Sequence, residues 1–137
     1  MKTTLFAICL LLFTMQVSAE KKFTWELISS STDGVGKVYG DRNSIRKNNS
    51  GNYIVWMAVN YDKGDYAGSS HVSSQEYDCV QLRYRWLYFE QHSSHYGKGK
   101  KTLYIDAEEL KTMGEYHWRY PKPNTNEYFQ VNWVCKK

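Results

Sequence analysis

The most informative absences in these 137 residues are a CxxC pair, a G-x-S-x-G elbow and a second long apolar run; prolines number two and cysteines three. Without the elbow, nothing marks the strained turn that exposes a nucleophilic serine. Without a CxxC pair, a zinc site on Cys79 and Cys135 needs two more ligands, and no nearby spacing supplies them. Charge of one sign is also scarce, since 18 basic residues against 14 acidic ones leave only +4. Nucleic-acid binders gather far more positive charge on one face, which argues against that class. There are no internal repeats and no low-complexity segment.

What is present begins with an export signal. Lys2 gives a positive start, Leu5 to Phe13 an apolar core, and Val17-Ser18-Ala19 a small-residue cleavage site. The apolar core is too short to cross a bilayer, which takes about 20 residues. The expectation is a signal peptide over residues 1–19, cleaved after Ala19, and a mature domain over residues 20–137. Ile8 is not the small residue that precedes a lipidated cysteine, so Cys9 leaves with the signal. Loss of Lys2 lowers the excess charge from +4 to +3. No further span follows, so the product is expected in the periplasm or outside the cell. Cys79 and Cys135 remain, an even number in an oxidising compartment, and are expected to form a disulfide. Closing that loop is worth about 4 kcal/mol on the chain-entropy model.

The mature chain reads mainly as strands. Phe23 to Leu27 alternates apolar and polar residues, and Lys37-Val38-Tyr39 follows after an Asp33-Gly34 turn. Asp41 caps a turn or single helical turn. Asn48 to Asn52 is a second turn cluster, with a glycosylation sequon at Asn48-Asn49-Ser50. Tyr53 to Tyr61 is the most apolar run and fits a strand buried on both faces. Ser73 to Gln91 reads as a hairpin turning around Cys79 to Gln81. His92 to Thr102 reads as a polar connection, and Leu103-Tyr104-Ile105 as a short strand. Asp106 and Glu109 form a capping-box pattern before a short helix that stops at Gly114. Glu115 to Tyr120 reads as one more strand, ended by Pro121. For the last segment, from Asn126 to about Cys135, helix and strand are both open. As a helix, capped by Asn124 or Thr125, it would present Phe129 and Trp133 on one face, widened by Val131 and Val134.

Candidate chemistry is sparse. His92 and His95 stand three apart, but serines and glycines surround them and no carboxylate stands at a matching spacing, so no metal site is expected. Asp62, Asp65, Glu76 and Asp78 supply carboxylates, yet no catalytic pair is indicated and no cofactor is implied. The ligand-binding candidates are Lys98, Lys100 and Lys101, a lysine loop suited to a polyanion, joined by Arg83 and Arg85 if these face solvent on the same side. Five tryptophans and 12 tyrosines exceed what a core of this size needs, and exposed ones carry interface energy.

The ordered set Trp25, Tyr39-Gly40-Asp41, Ser44-Ile45, Val55-Trp56, Ser73, Glu76-Tyr77-Asp78-Cys79, Gly97-Lys98-Gly99 and Val134-Cys135 resembles the bacterial surface-adhesin protein E family. The resemblance spans nearly everything from Trp25 to Cys135. It implies an α+β fold, an antiparallel sheet of about six strands with a disulfide-held C-terminal helix. It also implies a non-enzymatic exported protein of Gram-negative bacteria. The namesake is a surface lipoprotein that binds host matrix and plasma proteins such as vitronectin and laminin. The partner expected here is therefore a protein or polyanionic surface ligand, on the host or in the cell's own envelope. The family's adhesin carries basic residues before its cysteine-bearing strand. Lys63 to Val72 offers only Lys63 and His71, so that adhesive site does not carry over.

Overall fold

The computed structural model describes residues 21–136; the expected signal peptide and Cys9 lie outside them. Alternating apolar and polar residues build β1 (Trp25–Ser30), β2 (Gly36–Asp41), β4 (Tyr53–Tyr61), β5 (Ser70–Asp78), β6 (Arg83–Ser94) and β7 (Lys98–Ile105). A two-residue strand, β3 (Arg46–Lys47), adds to β4. The sheet runs β1-β2-β4-β5-β6-β7 and every pairing is antiparallel. Two helices follow, α1 (Ala107–Thr112) and α2 (Asn126–Cys135). The α+β architecture is thus the one expected. Among the described residues no helix is long and apolar enough to cross a membrane.

The period of two gives β4 two jobs. Val55 and Met57 join Tyr77, Tyr84, Val131 and Val134 under α2. Ala58 faces the other way and joins Tyr39 and Val72, closed over by Phe23, Trp25 and Trp56. Fully burying side chains of this size contributes about 1.5–3 kcal/mol each. The segment before β1 therefore works as a strap across the face that the helix leaves bare.

Thr125 caps α2, its hydroxyl accepting from the Tyr128 amide (3.2 Å). The helix turns Gln130, Val131 and Val134 inward and leaves Phe129 exposed. Of the expected inward face, Val131, Val134 and Trp133 do pack on the core, and only Phe129 is corrected: it turns outward while Gln130 turns in, its Oε1 3.2 Å from the Tyr77 hydroxyl. Cys79 and Cys135 are bonded, with Cα atoms 5.4 Å apart, which pins the end of α2 to the β5–β6 turn. In that turn Asp78 accepts from the Val80 and Gln81 amides.

Two further expectations change. Glu115 to Tyr120 is not a strand; only Arg119 bridges to Tyr84. Its side chains lie on β6 instead, Trp118 on Arg83 and Arg85, and Arg119 on Trp86. His92 to Thr102 is not a loop, because β6 runs on to Ser94 and β7 begins at Lys98. The reversal takes three residues, His95–Gly97. Positive φ at Tyr96, Gly97 and Gly99 makes so tight a turn and the bulge after it possible.

Candidate functional site

The turn at His95–Gly97 is held from below. Tyr96 has φ 63°, a left-handed conformation that a bulky residue adopts only under constraint. Its amide donates to the side chain of buried Asn60 (2.7 Å). The Gly97 amide donates to the hydroxyl of buried Ser70 (2.9 Å), and His95 Nε2 lies 2.9 Å from the Tyr61 carbonyl. A Cβ on Gly97 would stand 2.7 Å from Val72 Cγ2, so glycine lets this backbone sit on the sheet. The Tyr96 ring is left exposed and braced edge-on by Tyr39, with centroids 5.3 Å apart. Burial and the Tyr96 hydroxyl push the Tyr39 phenol up to about 12.

Opposite this turn runs the strap. Trp25 donates its indole N–H to the Tyr96 carbonyl (3.3 Å), Phe23 stacks on Trp25 at 4.5 Å, and Phe23 leans on Trp56 at 5.4 Å. Strap and turn enclose a cleft of about 440 Å³ lined by Lys21, Lys22, Phe23, Trp25, Tyr96, Gly97 and Lys98. The Lys21 ammonium lies 3.5 Å from the centre of the Trp56 ring, and burial with nearby Arg46 holds its pKa below the usual lysine value. Lys22 and Lys98 are exposed, and among the described residues neither makes an ion pair. No acidic side chain lines the cleft among the described residues. An anion entering it meets cations at the rim and aromatic walls inside.

The five residues singled out in the sequence do not form one site. Lys98 lines the cleft and Lys100 is exposed on β7 beside it. Lys101 is engaged by Glu90 (2.7 Å), which also accepts from Tyr88 (2.6 Å) and lies 2.7 Å from His92. Burial pushes the Glu90 carboxyl up, but these partners outweigh it and hold the pKa below the carboxylate norm. Arg83 and Arg85 share one face at the other end of β6, nine and seven residues from His92, the pairing partner of Lys101, or about 23–30 Å at about 3.3 Å per residue. They are ion-paired to Asp78 (2.9 Å) and Glu76 (2.7 Å) beneath Trp118. His92 and His95 are held by Glu90 and by the Tyr61 carbonyl, so they do not converge.

Sequence reasoning missed the strap half of the cleft. A Lys-Lys-Phe-Thr-Trp stretch just after the expected cleavage site, and a tyrosine between a histidine and a Gly-Lys-Gly turn, were the signals available. On the opposite face a second hollow of about 290 Å³, lined by Tyr61, Tyr66, His71, Phe89, Gln91 and Leu103, carries no charged group able to hold an ionic ligand. Burial lowers the His71 pKa to about 4, leaving the ring neutral.

Residues 25–136 match the family described as surface-adhesin protein E, and the chain belongs to it. No curated protein and no solved structure matches the chain.

Proposed function

We propose that this member of the surface-adhesin protein E family is an exported, non-enzymatic envelope protein of a Gram-negative bacterium, cleaved after Ala19, that recognises an anionic surface ligand. The supporting observation is the cleft between strap and turn, where Lys22 and Lys98 flank Phe23, Trp25 and Tyr96 and, among the described residues, no carboxylate lines the walls. Charge at the rim steers an anion, and rigid aromatic walls supply contact area at little entropic cost. Lys100, on the adjoining edge strand, extends the positive rim. Arg83 and Arg85 are read as structural, since each is already neutralised by a carboxylate.

Solid-phase binding to matrix proteins and acidic glycans tests this, with the intact protein beside Lys98→Ala and Lys98→Ala/Lys100→Ala. Binding should fall in the single variant, fall further in the double, and weaken as salt rises. Unchanged binding in both removes the cleft from the account. Protease shaving of intact cells separates two settings: cleavage places the domain where a host ligand can reach it, and protection assigns it to a component of its own envelope.

A further inference from the structure

The anion-binding reading leaves the ligand's chemistry open, and the cleft walls narrow it. Phosphate-type anions are commonly held by successive backbone N–H groups that point outward as a nest. Here the Tyr96 and Gly97 amides point inward to Asn60 and Ser70, and the Tyr96 carbonyl is taken by Trp25. Those two amides are thus turned away from any phosphate in the cleft. Arginine, whose planar fork grips phosphate or carboxylate in a fixed two-point geometry, is missing from the lining. Lysines supply point charges on flexible stems instead, which suit acidic groups at variable positions around a larger body. That body must be flat-sided and apolar on one face, because the walls it meets are Trp25 and Tyr96. Phe23 already covers one face of Trp25, so the indole has a single face to offer.

We infer that the cleft binds an acidic saccharide, with the C–H face of a sugar ring lying against Tyr96 and Trp25 and its carboxylate or sulfate reaching Lys22 and Lys98. The inference rests on the anion-binding reading above. An acidic peptide would use the lysines but has no need of a braced, outward tyrosine. The volume of about 440 Å³ falls within the range of small-molecule sites. The conformational strain at Tyr96 is the cost of presenting its ring to that ligand, and buried Asn60 and Ser70 hold the turn in place with or without it.

The test is calorimetric titration of the mature protein, with the Trp25 indole N–H followed by NMR to localise binding. Five probes are compared: a sulfated uronate hexasaccharide, a deacylated lipopolysaccharide core, a neutral maltohexaose, tripolyphosphate and polyglutamate. Tyr96→Asn removes the ring while tolerating the left-handed backbone, and Lys98→Ala removes the charge; a thermal melt checks that both fold. At least one acidic saccharide should bind about tenfold or more tighter than tripolyphosphate, polyglutamate and the neutral sugar, with the indole signal shifting. Each variant should weaken it by a similar factor. Preference between the two acidic saccharides distinguishes a host glycan from the cell's own outer leaflet. If tripolyphosphate or polyglutamate binds as well as the saccharides and Tyr96→Asn changes nothing, the saccharide inference is overturned while the anion-binding reading stands. If no anion binds, both fall.

Discussion

Acidification should loosen this fold through one imidazole. His71 lies on β5 between the rings of Tyr61 and Phe89, at centroid distances of 5.6 and 4.9 Å, and its Nδ1 is 2.8 Å from the Tyr61 hydroxyl. A neutral ring accepting that hydrogen bond carries its proton on Nε2; protonating Nδ1 removes the acceptor and places a cation among aromatic side chains. Burial accordingly lowers the pKa from 6.5 to about 4. Between those two values the unfolded chain binds a proton that the folded chain refuses. Stability therefore falls as pH falls through 6.5, by up to about 1.4 kcal/mol per unit, and the loss levels off near pH 4. Integrated from pH 7.5 to 4.5 this is about 2.5 kcal/mol, an upper bound because the ring is only partly shielded from water. Urea unfolding at four pH values across that window measures it, with His71→Gln as control. Glutamine can accept from Tyr61 but does not titrate, so its curve should lack this part of the slope. The carboxylates are common to both proteins and cancel in the difference. Equal slopes for the two proteins would refute the reasoning.

Other perturbations follow the same logic. Replacing Cys79 and Cys135 by serine opens a loop with a sequence separation of 56 and should cost about 4 kcal/mol, read as a lower urea midpoint that reducing agent no longer changes. Gly40→Ala places a Cβ 2.6 Å from the Trp133 ring and 3.0 Å from Ile28, forcing the indole off the sheet at a cost of about 1–3 kcal/mol by thermal melt. Glu76→Gln leaves Arg85 without its carboxylate and disturbs Asn48 and Asn52, for about 2–3 kcal/mol in urea unfolding, since the arginine is still partly hydrated. Burial raises the Glu76 carboxyl, but hydrogen bonds from Asn52, Arg85 and Asn48 outweigh it and leave the pKa lowered. Its stabilising share is complete above pH 4.5 and is lost as pH falls through the lower, folded value, beneath the window His71 governs.

How much of this was legible in the sequence depended on whether the deciding interaction was local. The Asp41 and Asp106 caps, the Asp33-Gly34 turn and the Tyr53–Tyr61 strand each rest on a few neighbouring residues, and all stand where expected. The paired cysteines could be read from their number. The helical state of the last segment could not be settled from its residues, because β-branched and aromatic side chains suit either state, and the family resemblance decided it. Its rotation was legible in part: Val131, Val134 and Trp133 face the core as expected, while Phe129 gives way to Gln130, whose contact with Tyr77 is 53 residues distant in sequence. Ser93-Ser94 looks like a loop by propensity, yet β6 continues to Ser94 because that residue pairs with Lys98 and its carbonyl accepts from the Ser70 hydroxyl. Glu115 to Tyr120 failed the other way: its aromatic residues found arginines to stack on before they found a strand to pair with.

The cleft follows from that division of labour between the two faces. A sheet of this size buries both sides only if something covers each, and the single long helix can cover one. The disulfide holds that helix in place, so the helix face is closed by a covalent tie. Over Tyr39, Ala58 and Val72 the other face is closed by a short strap that leads into β1, resting on ring contacts among Phe23, Trp25 and Trp56. A strap cannot seal the sheet to its end, and where it stops, the β6–β7 turn rises beside it. The gap between them inherits the aromatic residues that close the face and the lysines that border the strap and the edge strand. Sequence position hid this, because Lys22 and Lys98 stand 76 residues apart, and it is the strap crossing the sheet face that brings them to one cleft. Lysines on an exposed edge also discourage pairing with another chain. Binding and edge protection thus predict different things at one position: if Lys98→Val abolishes ligand binding yet leaves the mass by light scattering unchanged, recognition and not edge protection accounts for the lysine.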